Sequence, residues 1–157
     1  MFLKKIPNKL IGELLVEEGY LEPKNLEKGL ALQKKEGGLI GDILVKNGWL
    51  EESQLVMGLS KQLSLPFIRL TGYSVNREAL KLIEREAAER FLMFAFEYQE
   101  NALSIALSNP LDPKVVSGLE KLASSSTVHI FLALPTEIRQ AIKEHYQDSP
   151  LFYSSKE

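Results

Sequence analysis

The hydrophobic positions of the first 62 residues follow a helical period, and they do so twice. Ile11, Leu14 and Leu15 lie at i, i+3 and i+4, the spacing that gathers apolar side chains on one helix face. Gly19 follows, where positive φ is cheap only for glycine and a helix can end. Tyr20 and Leu21 turn the chain, and Pro23 suits the first turn of a second helix. Leu26, Leu30 and Gln33 then continue at i, i+4 and i+7 as the stripe of that helix. From Leu39 the series returns as Ile40, Ile43, Leu44, Gly48, Trp49, Leu50, Leu55, Leu59 and Gln62. Residues 10–33 and 39–62 align without gaps at an offset of 29 and agree at 12 of 24 positions, so this stretch reads as a tandem duplication. Lys34 to Gly38 form the hinge between the copies.

Beyond Leu63 the period changes. Leu65–Leu70 predicts a short extended segment, and Thr71–Val75 a loop. Asn76 caps a helix expected over Arg77–Glu89, with Leu80 and Ile83 inward. Phe91–Gln99, rich in aromatic residues, predicts a buried strand. Glu100 and Asn101 make a tight turn, and Leu103, Ile105 and Leu107 alternate along a returning strand. Asp112 and Pro113 open a helix carrying Val115, Val116, Leu119 and Leu122. Val128–Leu134 is the third strand, and Pro135 and Thr136 start a last helix with Ile138, Ala141, Ile142 and Tyr146 on its face. The expected class is α+β: a helical tandem-repeat part, residues 1–70, then an α-β-β-α-β-α part with a three-stranded sheet, residues 71–147. A polar tail, 148–157, is expected to fray or to begin a linker.

Composition narrows the function. Apolar residues are 45% and charged residues 25%, ordinary for a globular cytoplasmic protein. A formal net charge of −2 argues against DNA or RNA as partner, which would call for a basic surface. The longest strongly apolar run, Phe91–Phe96, is far too short to span a bilayer, so no direct membrane insertion is expected. There is no cysteine, and His129 and His145 lack ligand spacing, so no metal site is expected.

No catalytic residues are expected either. There is no G-x-x-x-x-G-K-[ST] phosphate loop, and Gly58-Leu59-Ser60-Lys61 only echoes one inside a helix. The pairs Glu17-Glu18 and Glu51-Glu52 fall on solvated helix or turn positions rather than facing each other across a site. Ser124–Ser126 has no histidine base near it in sequence.

Two features exceed what a plain helical hairpin needs. Gln33 and Gln62 put an amide in line with an apolar stripe, and Gly29 and Gly58 sit inside helices, where each costs about 1 kcal/mol against alanine. Close helix–helix packing accounts for the glycines, and so does close approach of a ligand or backbone. The glutamines fit either the wet edge of the stripe or a ligand contact.

The period of 29, with L-G-x-x-L-x-x-x-G-x-L-x-x-x-x-L-x-x-x-L-x-x-Q in each copy, resembles the tandem motif of the MshEN domain, the N-terminal region of type II secretion and type IV pilus assembly ATPases. Gln62–Phe67 and Ser108–Asp112 also look like this family, and the resemblance covers about residues 8–147. It implies a long, largely apolar surface for cyclic di-GMP. That surface would be formed by Leu10, Ile11, Gly12, Leu15, Gly19 and Gln33 in the first copy, and by Leu39, Ile40, Gly41, Leu44, Gly48 and Gln62 in the second. Glycines would let the backbone approach, aliphatic side chains would pack on purine faces, and the amides would bond base edges.

The family motif begins with arginine, and here Leu10 and Leu39 stand in that place. A guanidinium stacks on guanine and forks hydrogen bonds to its edge or to a phosphate, and leucine does neither. Residues 1–62 carry nine Lys/Arg and nine Asp/Glu, so no general positive field compensates. Lys9 or Arg69 could substitute in part. The resemblance therefore implies a non-catalytic module with one of two tasks. It docks a motor ATPase to an inner-membrane or motor component of a secretion or pilus machine, with a degenerate messenger site. Alternatively it senses cyclic di-GMP. Neither task requires a cofactor.

Overall fold

The computed structural model describes residues 10–146, which divide into two compact units, one up to Leu65 and one from Pro66 onward. The first unit holds four helices: α1 (Ile11–Glu17), α2 (Pro23–Glu36), α3 (Ile40–Lys46) and α4 (Glu52–Leu63). α3 begins 29 residues after α1, and α4 29 after α2, matching the sequence offset. α1 and α3 end in the same way. Gly19 and Gly48 take φ of 78° and 75°, so Tyr20 N–H donates back to the Leu15 carbonyl and Trp49 N–H to that of Leu44, at 2.9 and 3.0 Å. This six-residue closure satisfies helix-end carbonyls and needs a left-handed residue, which explains both glycines.

The copies close on each other through their other glycines. A Cβ on Gly29 (α2) would lie 2.8 Å from Leu44 Cδ2 and 3.1 Å from Ile40 Cδ1 in α3. A Cβ on Gly58 (α4) would lie 2.8 Å from Leu15 Cδ2 and 3.4 Å from Ile11 Cδ1 in α1. These are equivalent contacts with the copies exchanged, so α2 seats α3 as α4 seats α1. Gly12 and Gly41 do the same within each copy, against Leu26 at 2.5 Å and Leu55 at 2.7 Å. The four internal glycines thus serve helix packing. The apolar stripes are not equally covered, however: Leu30, expected inward, is 47% exposed, whereas its mate Leu59 is buried.

The second unit contains α5 (Arg77–Leu80), α6 (Arg85–Phe91), β1 (Met93–Gln99), β2 (Ala102–Leu107), α7 (Pro113–Ala123), β3 (Thr127–Leu132) and α8 (Pro135–Tyr146). The sheet order is β1-β2-β3; β1 and β2 are antiparallel, and β2 and β3 are parallel across α7. Glu100 and Asn101 both have positive φ, 50° and 65°, as a two-residue hairpin turn matched to strand twist requires. Phe67 forms a parallel bridge to Leu132, with Ile68 N–H donating to the Leu132 carbonyl and Leu132 N–H to that of Pro66, each at 2.8 Å. This pairing ties Pro66–Ile68 to β3, so the division between units falls at 65/66 rather than at the 70/71 read from the sequence.

One helix expected over 77–89 is two. Ile83 is buried at the break, and its carbonyl accepts the Tyr146 hydroxyl at 2.7 Å instead of a helical N–H. Burial pushes that phenol up to about 12. The first strand starts at Met93 because Leu92 caps α6 in a left-handed conformation, φ 52°. β1 also carries a bulge between Ala95 and Glu97, and the Phe96 carbonyl accepts the N–H of Asn76 at 2.9 Å. The core between sheet and helices is built on Phe94, Phe96, Leu103, Ile105, Leu107, Leu132 and Ile138, all fully buried.

Arg69 and Thr71 are anchored on α8. Arg69 Nε and Thr71 Oγ1 donate to Glu137 Oε1 at 2.9 and 2.7 Å, and the Glu137 side chain is only 10% exposed. Burial raises this carboxyl, but the Thr71 and Arg69 hydrogen bonds, with Leu70 N–H, outweigh it and hold it below its ordinary value of 4.5.

Two predictions follow from these contacts. Helix propensity alone gives Gly29→Ala and Gly58→Ala a gain of about 1 kcal/mol. Here the new methyl meets a terminal methyl of Leu44 or Leu15, both fully buried, and overpacking of a core costs about 1–3 kcal/mol. Each variant should therefore melt below wild type in thermal unfolding. The folded chain binds the Glu137 proton more weakly than the unfolded chain, so this stabilisation is present above pH 4.5 and drains as pH falls below it. Glu137→Gln should melt lower at neutral pH and lose less stability on acidification than wild type, measured as melting temperature against pH.

Candidate functional site

The twelve candidate residues occupy corresponding places in the first unit. Leu10 and Leu39 are the residues just before α1 and α3, in extended conformation with φ of −66° and −87°. Leu10 is 72% exposed and Leu39 half-buried. Ile11 is buried and Ile40 half-buried, while Leu15 and Leu44 are fully buried. Gly12 and Gly41 are buried under leucine methyls, and Gly19 and Gly48 are exposed at the helix ends.

The glutamines are half-buried on α2 and α4. Gln33 Nε2 donates to the Gly38 carbonyl at 3.0 Å, and the Gln33 carbonyl accepts Gly37 N–H at 2.8 Å. Gln33 thereby stitches the hinge that leads into Leu39, where Gly37 and Gly38 take φ of 76° and 95°.

The fold gathers these residues in two reciprocal sets: Ile11 and Leu15 lie over Gly58, and Ile40 and Leu44 over Gly29. Pattern alone singled out Gly29 and Gly58 but not their partners, because the exchange between copies is a tertiary fact. Exposed Leu30 and Met57, 47% and 46% exposed, also belong to this unit. Leu30 is expected on an apolar stripe, and nothing in its spacing shows that it faces water, whereas Met57 lies off the stripe of Leu55, Leu59 and Gln62.

The cations around this surface are lysines. Lys61 pairs with Glu18, which raises its pKa through the hydrogen bond and charge of that carboxylate. The Lys28 ammonium lies 6.0 Å from the centre of the Trp49 ring. Arg69, the first arginine in the sequence, is held by Glu137 in the second unit. Lys9 and the tail 148–157 lie outside the described residues.

The chemistry on offer is apolar contact, backbone polar groups and two amides. Among the described residues no group of three or more His, Asp or Glu could hold a metal ion, and no helix is long and apolar enough to cross a membrane. His129 is exposed on β3, and His145 lies against the Phe94 ring at 5.7 Å.

The model of the MshEN domain family matches residues 63–150, which is mostly the second unit. The type IV pilus assembly ATPase PilB of Myxococcus xanthus (strain DK1622) is 34% identical over 138 residues, 88% of this chain. The chain spans about a quarter, 24%, of the length of that relative. A structure of MshE with cdg, cyclic di-GMP, is 32% identical with a TM-score of 0.77, covering 88% of this chain and 100% of the MshE chain. A structure of the N-terminal domain of XpsE shares the fold at 17% identity, with a TM-score of 0.69 over 85% of this chain and 91% of that one. The chain belongs to the MshEN domain family.

Proposed function

We propose that this chain is a non-catalytic docking module that joins a pilus or secretion motor to its machinery at the cytoplasmic side of the inner membrane, and that its cyclic di-GMP site is degenerate. The observation carrying this reading is that the two places where the family motif has arginine hold Leu10 and Leu39, with Leu10 72% exposed. A hydrogen bond to a charged group contributes about 1.5–3 kcal/mol, so two lost guanidinium contacts remove about 3–6 kcal/mol if additive. That is about 10²- to 10⁴-fold in affinity. Arg69 Nε is engaged by Glu137 within the second unit.

The same substitution adds apolar surface that a partner could cover, and Leu30 and Met57 of the same helical part are exposed as well. The helical repeat, residues 1–70 in the sequence reading, would carry the contact. The partner would be a cytoplasmic segment of an inner-membrane or motor component, with no nucleic acid and no insertion of this chain into lipid.

A second reading is a cyclic di-GMP sensor. It is favoured by the MshE structure with cdg, which is 32% identical and wholly covered. In that case the leucines at 10 and 39, with Gln33 and Gln62, would hold the messenger by stacking and amide contacts alone, with no cofactor.

Leu10→Asp combined with Leu39→Asp tests the docking surface, since both positions precede their helices and neither side chain is fully buried. Capture of the membrane component on a surface carrying the variant should fall at least tenfold, with the melting temperature little changed. Capture at wild-type strength would place the contact elsewhere on the module and overturn the reading.

A further inference from the structure

Within the second unit, α6 and α8 wall a cavity of about 430 Å³ lined by Arg85, Glu89, Leu92, Arg139, Ile142 and Lys143. Three of these side chains are cationic and one is anionic. Glu89 Oε1 accepts Arg85 Nε at 2.8 Å, which orients the guanidinium. The two cations of α8 have no such counterweight: among the described residues neither Arg139 nor Lys143 forms an ion pair.

Their placement is unfavourable for the helix itself. Arg139 and Lys143 stand one turn apart on one face, where like charges at i and i+4 repel, and no residue three or four positions from either is acidic. The field of a helix C-terminus favours Lys143, in the last turn, but it does not reach Arg139 a turn earlier. Between the charges the cavity is apolar. Ile142 is buried and Leu92 half-buried. Leu92 caps α6 at φ 52°, a conformation that helix ends usually give to glycine, so a leucine side chain is kept at this wall against local preference.

A concave lining of cations with apolar walls suits a phosphate carried on an organic body. Guanidinium groups fork onto phosphate oxygens and an ammonium adds a point charge. A phosphate monoester offers three acceptor oxygens and close to two charges, enough for all three cations and for the repulsion between Arg139 and Lys143. We propose that this cavity binds a small organic phosphate, with Arg85, Arg139 and Lys143 on the phosphate and Leu92 and Ile142 against the body that carries it. Glu89 acts as a positioning residue for Arg85. The site lies wholly in the second unit and does not rest on the docking reading.

Nitrogen–proton correlation NMR of the whole chain, at constant ionic strength, tests the site with adenosine monophosphate and glycerol 3-phosphate as probes. Both should shift the Leu92 and Ile142 signals saturably, with a Kd of about 1 mM or tighter, while adenosine leaves them in place. Arg139→Gln combined with Lys143→Gln should weaken binding about tenfold or more. Gln keeps helix propensity and removes the repulsion, so the melting temperature should hold or rise. Shifts that do not saturate, that adenosine reproduces, or that survive the double variant would overturn the proposal. Co-sedimentation with phosphatidylglycerol vesicles, set against phosphatidylcholine vesicles, separates the sources of phosphate. Sedimentation with the former and no shift from either soluble probe would assign the cavity to a lipid headgroup and overturn the small-ligand site.

Discussion

The helical unit depends on one reciprocal contact, a glycine of each copy receiving the leucine and isoleucine of the other. Leu15 and Leu44 are fully buried, and each has a methyl 2.8 Å from where a Cβ on Gly58 or Gly29 would sit. Two seven-residue helices, α1 and α3, cannot stand alone, since helices that short are marginal in water. Each is held by the longer helix of the other copy. The duplication is therefore structural: one copy leaves its apolar face open, and the second closes it.

This contact also decides what the surface can offer. With Leu15, Leu44, Gly12 and Gly41 committed to internal packing, the accessible members of the candidate set are Leu10, Leu39, Gly19 and Gly48 at the entries and exits of the short helices, with half-buried Ile40, Gln33 and Gln62. The first pair is leucine in both copies. An apolar side chain in water at 72% exposure gains from being covered, and it offers a phosphate nothing.

Much of this was legible in the sequence because it was local or repeated. The helix ends at Gly19 and Gly48, the hairpin at Glu100 and Asn101 and the alternation of Leu103, Ile105 and Leu107 each follow from neighbouring residues. What escaped is long-range. The break at Ile83 is paid for by a tyrosine 63 residues away. The bulge that lets the Phe96 carbonyl serve Asn76 left no mark in the pattern. Pro66–Ile68 read as extended, but only its pairing with Leu132 shows which unit it joins. Of the candidate residues, the places of Leu10 and Leu39 just before their helices could be read from the repeat. The hydrogen bond from Gln33 to the hinge and the unequal burial of Leu30 and Leu59 required the fold.

The most direct test of the central claim is a calorimetric titration of cyclic di-GMP into the wild-type chain beside the Leu10→Arg, Leu39→Arg double variant, at moderate salt. A site that lacks only its anchors should give no binding heat in the wild type up to about 100 μM and measurable affinity, about 100-fold tighter or better, once both arginines stand before α1 and α3. Wild-type binding at about 1 μM or tighter would contradict the account and make the apolar surface itself a messenger site.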